Sequence, residues 1–207
     1  MSKVPIIGLT GPTGAGKSTV SKALAEEGCA IIDADQVARE VVRPGSPCVG
    51  ELAAVFGEDI KTPEGGILRG LLAQRAFSSM ENTQKLNEIT HPWITRTIRE
   101  KIEEFTRADA AVLVLDAPLL YESGEDALCD RVVAVLAPEE ARLSRIMERD
   151  GISREAALAR MKAQNGESFY TSRADYVLRN EGRPTDLYQQ TICLLKQIRE
   201  ELDVPRS

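Results

Sequence analysis

IIGLTGPTGAGKSTV, residues 6–20, is the stretch on which the fold turns. An apolar run that breaks into glycines and reopens on lysine, serine and threonine reads as strand, turn and helix. The strand is expected over residues 5–10, and Val20, Ala23 and Leu24 recur at helical spacing across 17–27. Between them GPTGAGKS satisfies GxxxxGK[ST] through Gly11, Gly16, Lys17 and Ser18. The chemistry explains the residue types. Glycines let backbone N–H groups turn towards phosphate oxygens, and the helix start adds the positive end of its dipole. A lysine at position 17 reaches the β and γ phosphates, and the Ser18 hydroxyl ligates Mg²⁺. The plain alternative is a tight turn with an exposed lysine. In this strand-to-helix context, Gly11, Pro12, Thr13, Gly14, Ala15, Gly16, Lys17, Ser18 and Thr19 form the expected nucleoside triphosphate-binding segment, with Ser18 as the metal ligand.

Outward from the motif, residues 30–32 make a second short buried strand ending at Asp33 and Asp35, and a helix follows over 36–42. Strands alternating with helices predict an α/β fold with a parallel sheet and crossover helices. From 43 to 92 the pattern changes to amphipathic helices separated by turns at PGSP and TPEGG, without a strand, which reads as a helical insertion. A helix over 94–105 precedes two continuous apolar runs, VLVLD (112–116) and RVVAVL (131–136), which belong in the middle of the sheet. Pro138 and Glu139 open a helix to about Arg149, and Ser153 caps another reaching Gln164. Residues 166–173 are polar and expected to be mobile, 176–178 supply a late strand, 187–202 a last amphipathic helix, and VPRS a fraying tail.

Composition narrows the function. With 207 residues one main domain is expected, and 26 Lys+Arg against 32 Asp+Glu leave a net charge of −6, which argues against a duplex DNA reader. Aromatic residues at 4% offer few faces for stacking single-stranded bases. No nucleic-acid partner is expected. The amino-terminal apolar stretch is broken at once by glycines, unlike a signal peptide, and the most apolar stretch, 110–120, is interrupted by Asp116 and Pro118. A cytoplasmic protein without a membrane segment or an obligate protein partner is the expectation. Cys29, Cys48, Cys129 and Cys193 show no CxxC spacing and His91 is the one histidine, so buried thiols are expected rather than zinc or disulfides.

Three groups of residues could serve a phosphoryl acceptor. Asp33 and Asp35 stand two positions apart at the carboxyl edge of the second strand, where open α/β sheets place ligands. Asp33 is the better candidate base, while Asp35, just before a helix, is as readily an N-cap. Asp116 ends its strand as an acidic group near Mg²⁺ would, or as a turn residue. Arg142, Arg145 and Arg149 share a helix face and either clamp phosphates or form a solvated stripe with Glu148 and Asp150.

On these residues the chain resembles the dephospho-coenzyme A kinase family of P-loop small-molecule kinases over essentially its whole length. The matching elements are the P-loop, IDADQVARE with VVRPGSP, Arg69, His91-Pro92, VLDAPLLYE, PEEARLSRIMERD, Gln164 and ADYVLRNEG. DADxxxR followed by HP and PLLxE is far more specific than the P-loop alone. The resemblance implies a three-layer fold like that of P-loop nucleoside triphosphate hydrolases, in one kinase domain over 1–207. Its core would be 1–42, 93–138 and 174–203, with a substrate-binding insertion at about 43–92 and a lid at about 139–173. It further implies transfer of the ATP γ phosphate to the ribose 3′-hydroxyl of dephospho-coenzyme A, with Mg²⁺ accompanying ATP. Asp33 would then be the base, assisted catalytically by Lys17, Arg145 and Arg149. Arg145 and Asn180 would touch ATP, and Asn180 with Gly182 would lie near adenine. Asp33, Asp35, Arg39, Arg69, His91, Pro118 and Leu119 would meet the acceptor. His91-Pro92 is equally a helix-entry turn and Arg69 equally a surface arginine. The sequence departs from the family pattern at Leu68, at Tyr121 for phenylalanine, at Arg142 for glutamine and at Ser168, Phe169 and Tyr170. Another P-loop kinase acting on a nucleotide, shikimate or gluconate is the nearest alternative. A nucleotide switch is remoter, since NKxD and LSGGQ-type signatures are absent.

Overall fold

The computed structural model describes residues 4–204, so the last three residues of the VPRS tail lie outside the described residues. The chain forms two units, Met1–Ile32 with Glu104–Ser207, and Asp33–Glu103. The second is wider than the insertion expected at 43–92.

The first unit is built on β1 (Ile6–Thr10), β2 (Ala30–Asp33), β3 (Leu113–Asp116), β4 (Arg131–Leu136) and β5 (Tyr176–Arg179), in the order β2-β3-β1-β4-β5. β1 runs parallel to β3, with Ile7 opposite Val114, and to β4, with Leu9 opposite Val133. β4 runs parallel to β5, with Val135 opposite Leu178. The strands read as unbroken apolar runs because both faces of the sheet are covered. On one face, α1 (Lys17–Glu26) and α9 (Pro184–Glu201) bring Val20, Leu24, Leu187, Leu195 and Ile198 onto Ile7, Leu9, Val133 and Val135. On the other, α8 (Glu167–Thr171) packs Tyr170, only 2% exposed, onto Ala134 and Leu136. The alternation of Val133 and Val135 with Ala134 and Leu136 is the two-residue period of a strand. Strand order reverses at β1, and the carboxyl ends of strands at such a reversal are where α/β sheets open a crevice.

Within 166–173, expected to be polar and mobile, Glu167–Thr171 is therefore helical and anchored. Phe169 and Tyr170 supply an apolar foothold that the polar average of the segment hides. The Tyr121 ring meets Phe169 edge-on at 5.7 Å, and its hydroxyl is buried without a hydrogen-bond partner among the described residues. Burial pushes this phenol up to about 12, with Asp126 and Asp175 adding to the effect. An orphaned buried hydroxyl costs stability, so Tyr121→Phe raises stability by about 1 kcal/mol, read as an increase in Tm. An unchanged or lower Tm would show that the hydroxyl is satisfied in solution.

The second unit has its own core. α3 (Pro47–Phe56) and α4 (Arg69–Ala76) join Cys48, Leu52, Phe56 and Leu72 to Ile60, with Leu86, Ile89 and Trp93 of α5 (Met80–Arg107) packed against them. The TPEGG turn joins Lys61 to Ile67 in an isolated antiparallel bridge. The helix break expected at His91-Pro92 does not occur. α5 runs through Pro92, because Leu86, Ile89 and Trp93 hold one face of the helix to the core and offset the roughly 3 kcal/mol cost of an interior proline. Among the thiols, Cys29 and Cys48 are buried and pushed up to about 11 by desolvation, but Cys193 is exposed, on the outer face of α9.

Candidate active site

The turn from β1 into α1 is a loop whose carbonyls are held from outside. Thr13 O accepts from Arg142 Nε at 2.9 Å, Gly14 O from Arg145 Nη1 at 3.0 Å and Ala15 O from Asn180 Nδ2 at 2.8 Å. In a trans peptide the carbonyl and the following N–H point opposite ways. The three ties therefore turn the N–H groups of Gly14, Ala15 and Gly16 away from the tying side chains. Ala15 N–H closes a turn onto Pro12 O at 3.2 Å. Gly16 opens α1 in the left-handed region, and no side chain caps the helix. With the Ala15 N–H spent on that turn, the Gly14 and Gly16 N–H groups at an uncapped helix start make an anion nest, suited to phosphate.

The approach is close enough to explain the glycines. A Cβ on Gly14, at φ 76°, would lie 2.8 Å from Arg142 O, and one on Gly16, at φ 109°, would lie 2.4 Å from Asn180 Nδ2. Neither position tolerates a side chain without displacing the tie.

The ties come from a helical hairpin and from the end of β5. α6 (Glu139–Asp150) turns at Gly151 into α7 (Arg154–Lys162), whose Ser153 cap accepts from Ala156 N as the sequence predicts. Leu143, Ile146 and Ala157 form the seam of the hairpin. Arg142, Arg145 and Arg149 fall on a different face of α6, and the return along α7 brings Gln164 to Thr13, whose N–H donates to Gln164 Oε1 at 3.0 Å. The arginine stripe thus has two uses. Arg142 and Arg145 are tied to backbone carbonyls, whereas Arg149 pairs with Asp150 and reaches Thr13 Oγ1 with Nη2 at 3.5 Å. Asp150 is held down to about 2, first by the Arg149 hydrogen bond, with Arg160 adding to it. Its folded value lies below the ordinary one, so the stability it contributes is present above pH ~3.8 and is lost as pH falls through about 2.

Asn180 is 7% exposed and its amide is committed to Ala15 O, a cradle role that sequence reading did not assign to it. The Gln164 contact was not anticipated either. Asp116 ends β3 opposite Leu9, just before the loop. Pro118 O accepts from Thr10 Oγ1 at 3.3 Å, and Leu119 is 59% exposed.

The remaining candidates belong to the second unit. Asp33 is the N-cap of α2 (Ala34–Glu40), with Oδ1 accepting from Gln36 N at 3.0 Å. This corrects the reading of Asp35 as the cap. The helix begins two residues earlier than expected, because Asp33 itself takes the extended conformation and bonds to the third helical N–H, leaving Asp35 in the first turn. Arg39 stands in the last turn of α2, and Arg69 is the first residue of α4. His91 lines an open groove of about 910 Å³ with Phe77, Met80, Gln84, Asn87 and Glu88.

A family model described as dephospho-CoA kinase matches residues 5–186. The dephospho-CoA kinase of Carboxydothermus hydrogenoformans is 42% identical, covering 95% of this chain and 96% of its own. That of Corynebacterium jeikeium is 45% identical, covering 89% of this chain and 94% of its own. Among solved structures, TT1252 from Thermus thermophilus superposes with a TM-score of 0.79 at 35% identity, over 95% of this chain and 98% of that one. The dephospho-CoA kinase from Campylobacter jejuni superposes with a TM-score of 0.66 at 25% identity, over the same shares.

Proposed function

The chain belongs to the dephospho-CoA kinase family, and from that premise we propose how its residues divide the work of transferring the γ-phosphoryl group of ATP to the ribose 3′-hydroxyl of dephospho-coenzyme A. It is an enzyme of the last step of coenzyme A biosynthesis. The observation that supports the division is the row of three outward-held carbonyls at Thr13, Gly14 and Ala15.

Phosphoryl transfer needs position and positive potential more than covalent help. The N–H groups of the cradle and the start of α1 hold the β and γ phosphates, and Lys17 places a point charge on them. Arg149, exposed on the hairpin, swings from Asp150 to the γ phosphate, with Arg145 behind it, so that the arginine side of the α6–α7 hairpin closes over the nucleotide while α8 stays on the sheet. The Ser18 hydroxyl and the Asp116 carboxylate are the hard oxygen donors that would hold the Mg²⁺ accompanying ATP, and the bound ion would neutralise charge on the phosphates. In the second unit, Asp33 spends Oδ1 on the Gln36 cap and offers Oδ2 to the acceptor hydroxyl. Arg39, Arg69 and His91 hold the rest of the acceptor. No described helix is long and apolar enough to cross a membrane, and the cytoplasm is the compartment we assign.

The purified protein is expected to release ADP from Mg-ATP rapidly only when dephospho-coenzyme A is present. Equal or faster turnover with AMP, shikimate or gluconate would overturn the acceptor.

A further inference from the structure

We propose that Arg142 is a positioning residue for ATP, acting by hydrogen bonds to the Thr13 peptide rather than by its charge. The inference rests on the cradle reading above and deepens it. Arg142, Gln164 and the main chain of Thr13 close a ring. Arg142 Nε donates to Thr13 O at 2.9 Å, Thr13 N–H donates to Gln164 Oε1 at 3.0 Å, and Arg142 Nη2 donates to the same oxygen at 3.3 Å. Both polar groups of one residue of the loop are thus gripped by side chains that also grip each other.

The fork of a guanidinium suits this task, since Nε–H and one Nη–H point the same way a fixed distance apart. The acceptors here are a carbonyl and an amide oxygen. Arg149, on the same stripe, is instead spent on the Asp150 carboxylate. Arg142 is also half-buried, and desolvation lowers its pKa, the opposite of what a carboxylate partner does for Arg149. Its work in this arrangement is directional.

What it directs is the peptide between Thr13 and Gly14. With Thr13 O fixed towards α6, the Gly14 N–H faces the nucleotide side. Gly14 has no side chain to limit its rotation, so an untied peptide could flip and present a carbonyl oxygen to phosphate. A flip replaces an attractive dipole by a repulsive one. The hairpin seam of Leu143, Ile146 and Ala157 keeps Arg142 and Gln164 in register for the grip.

Three variants separate direction from charge. Glutamine places Nε2 the same number of bonds from Cα as arginine places Nε, so Arg142→Gln keeps the bond to Thr13 O and discards the charge. Arg142→Lys keeps the charge, but its nitrogen is one bond further out and has no fork. Arg142→Met keeps length alone. ATP affinity by equilibrium dialysis, KM for ATP and kcat at saturating dephospho-coenzyme A, and Tm are measured for each. Arg142→Met is expected to weaken ATP binding and raise its KM roughly 10-fold or more, with kcat falling less than KM rises. Arg142→Gln recovers most of that loss, and Arg142→Lys recovers less. Wild-type affinity in Arg142→Met, or better recovery by lysine than by glutamine, overturns the proposal. Should the methionine variant not fold, the order of glutamine and lysine decides. If the wild type shows no turnover with dephospho-coenzyme A, the acceptor reading fails, while the order of ATP affinities still tests Arg142.

Discussion

Lys17→Ala leaves a folded protein whose kcat is lower by roughly 10²-fold or more, the scale of losing one preorganised electrostatic stabiliser. Folding survives because Lys17 is the first residue of α1 and only half-buried, whereas the buried residues of that helix are Val20, Ala23 and Leu24, and alanine is a better helix former. ATP binding falls by less than kcat, since the backbone N–H groups of the cradle are untouched and carry much of the ground-state grip. The lysine gains value as charge moves on the γ phosphate and the β–γ bridge opens, where a fixed ammonium costs no reorganisation. Circular dichroism and Tm establish the fold, and ADP release at saturating ATP gives kcat. A near-normal kcat with an intact fold would remove Lys17 from the catalytic group.

The parts of the fold that were legible in the sequence are those whose cause is local. β1, the loop and α1 follow from apolar run, glycine spacing and helical period within 21 residues, 6–26. β3 and β4 follow from apolar runs too unbroken for any place but the middle of a sheet. What misled were local rules overridden by packing. Proline predicts a break, yet α5 passes through Pro92 because its core face carries Leu86, Ile89 and Trp93 on either side. Residues 166–173 look polar by average, yet two aromatic rings suffice to seat α8. At the site, spacing on α6 showed that three arginines share a face but not what faces them. Arg142 meets Thr13 from 129 residues away and Arg145 meets Gly14 from 131, distances at which no local pattern carries information. The phosphate clamp that the stripe suggested is, for two of its three members, a clamp on the loop.

Asp33→Asn is expected to lower kcat by roughly 10²- to 10⁴-fold while ATP binding is nearly preserved. The structure makes asparagine a cleaner test than alanine. Asp33 caps α2 through Oδ1, and asparagine caps as well as aspartate, so the bond from Gln36 N persists and the helix keeps its start. The change falls on the other arm, where the free carboxylate oxygen becomes an amide nitrogen. An N–H₂ group at that point donates where the ribose hydroxyl also needs to donate, so the hydroxyl is neither oriented for attack nor relieved of its proton. Phosphoryl transfer is largely dissociative and proton removal comes late, so orientation accounts for much of the loss. Asp35 supplies the comparison. It lies in the first turn of the same helix, where a negative charge favours the N-terminal dipole by about 0.3–1 kcal/mol. Asp35→Asn therefore costs a small amount of stability and retains far more activity than Asp33→Asn. The opposite ranking, an active Asp33→Asn and an inactive but folded Asp35→Asn, would move the base to Asp35 and leave Asp33 as a helix cap alone.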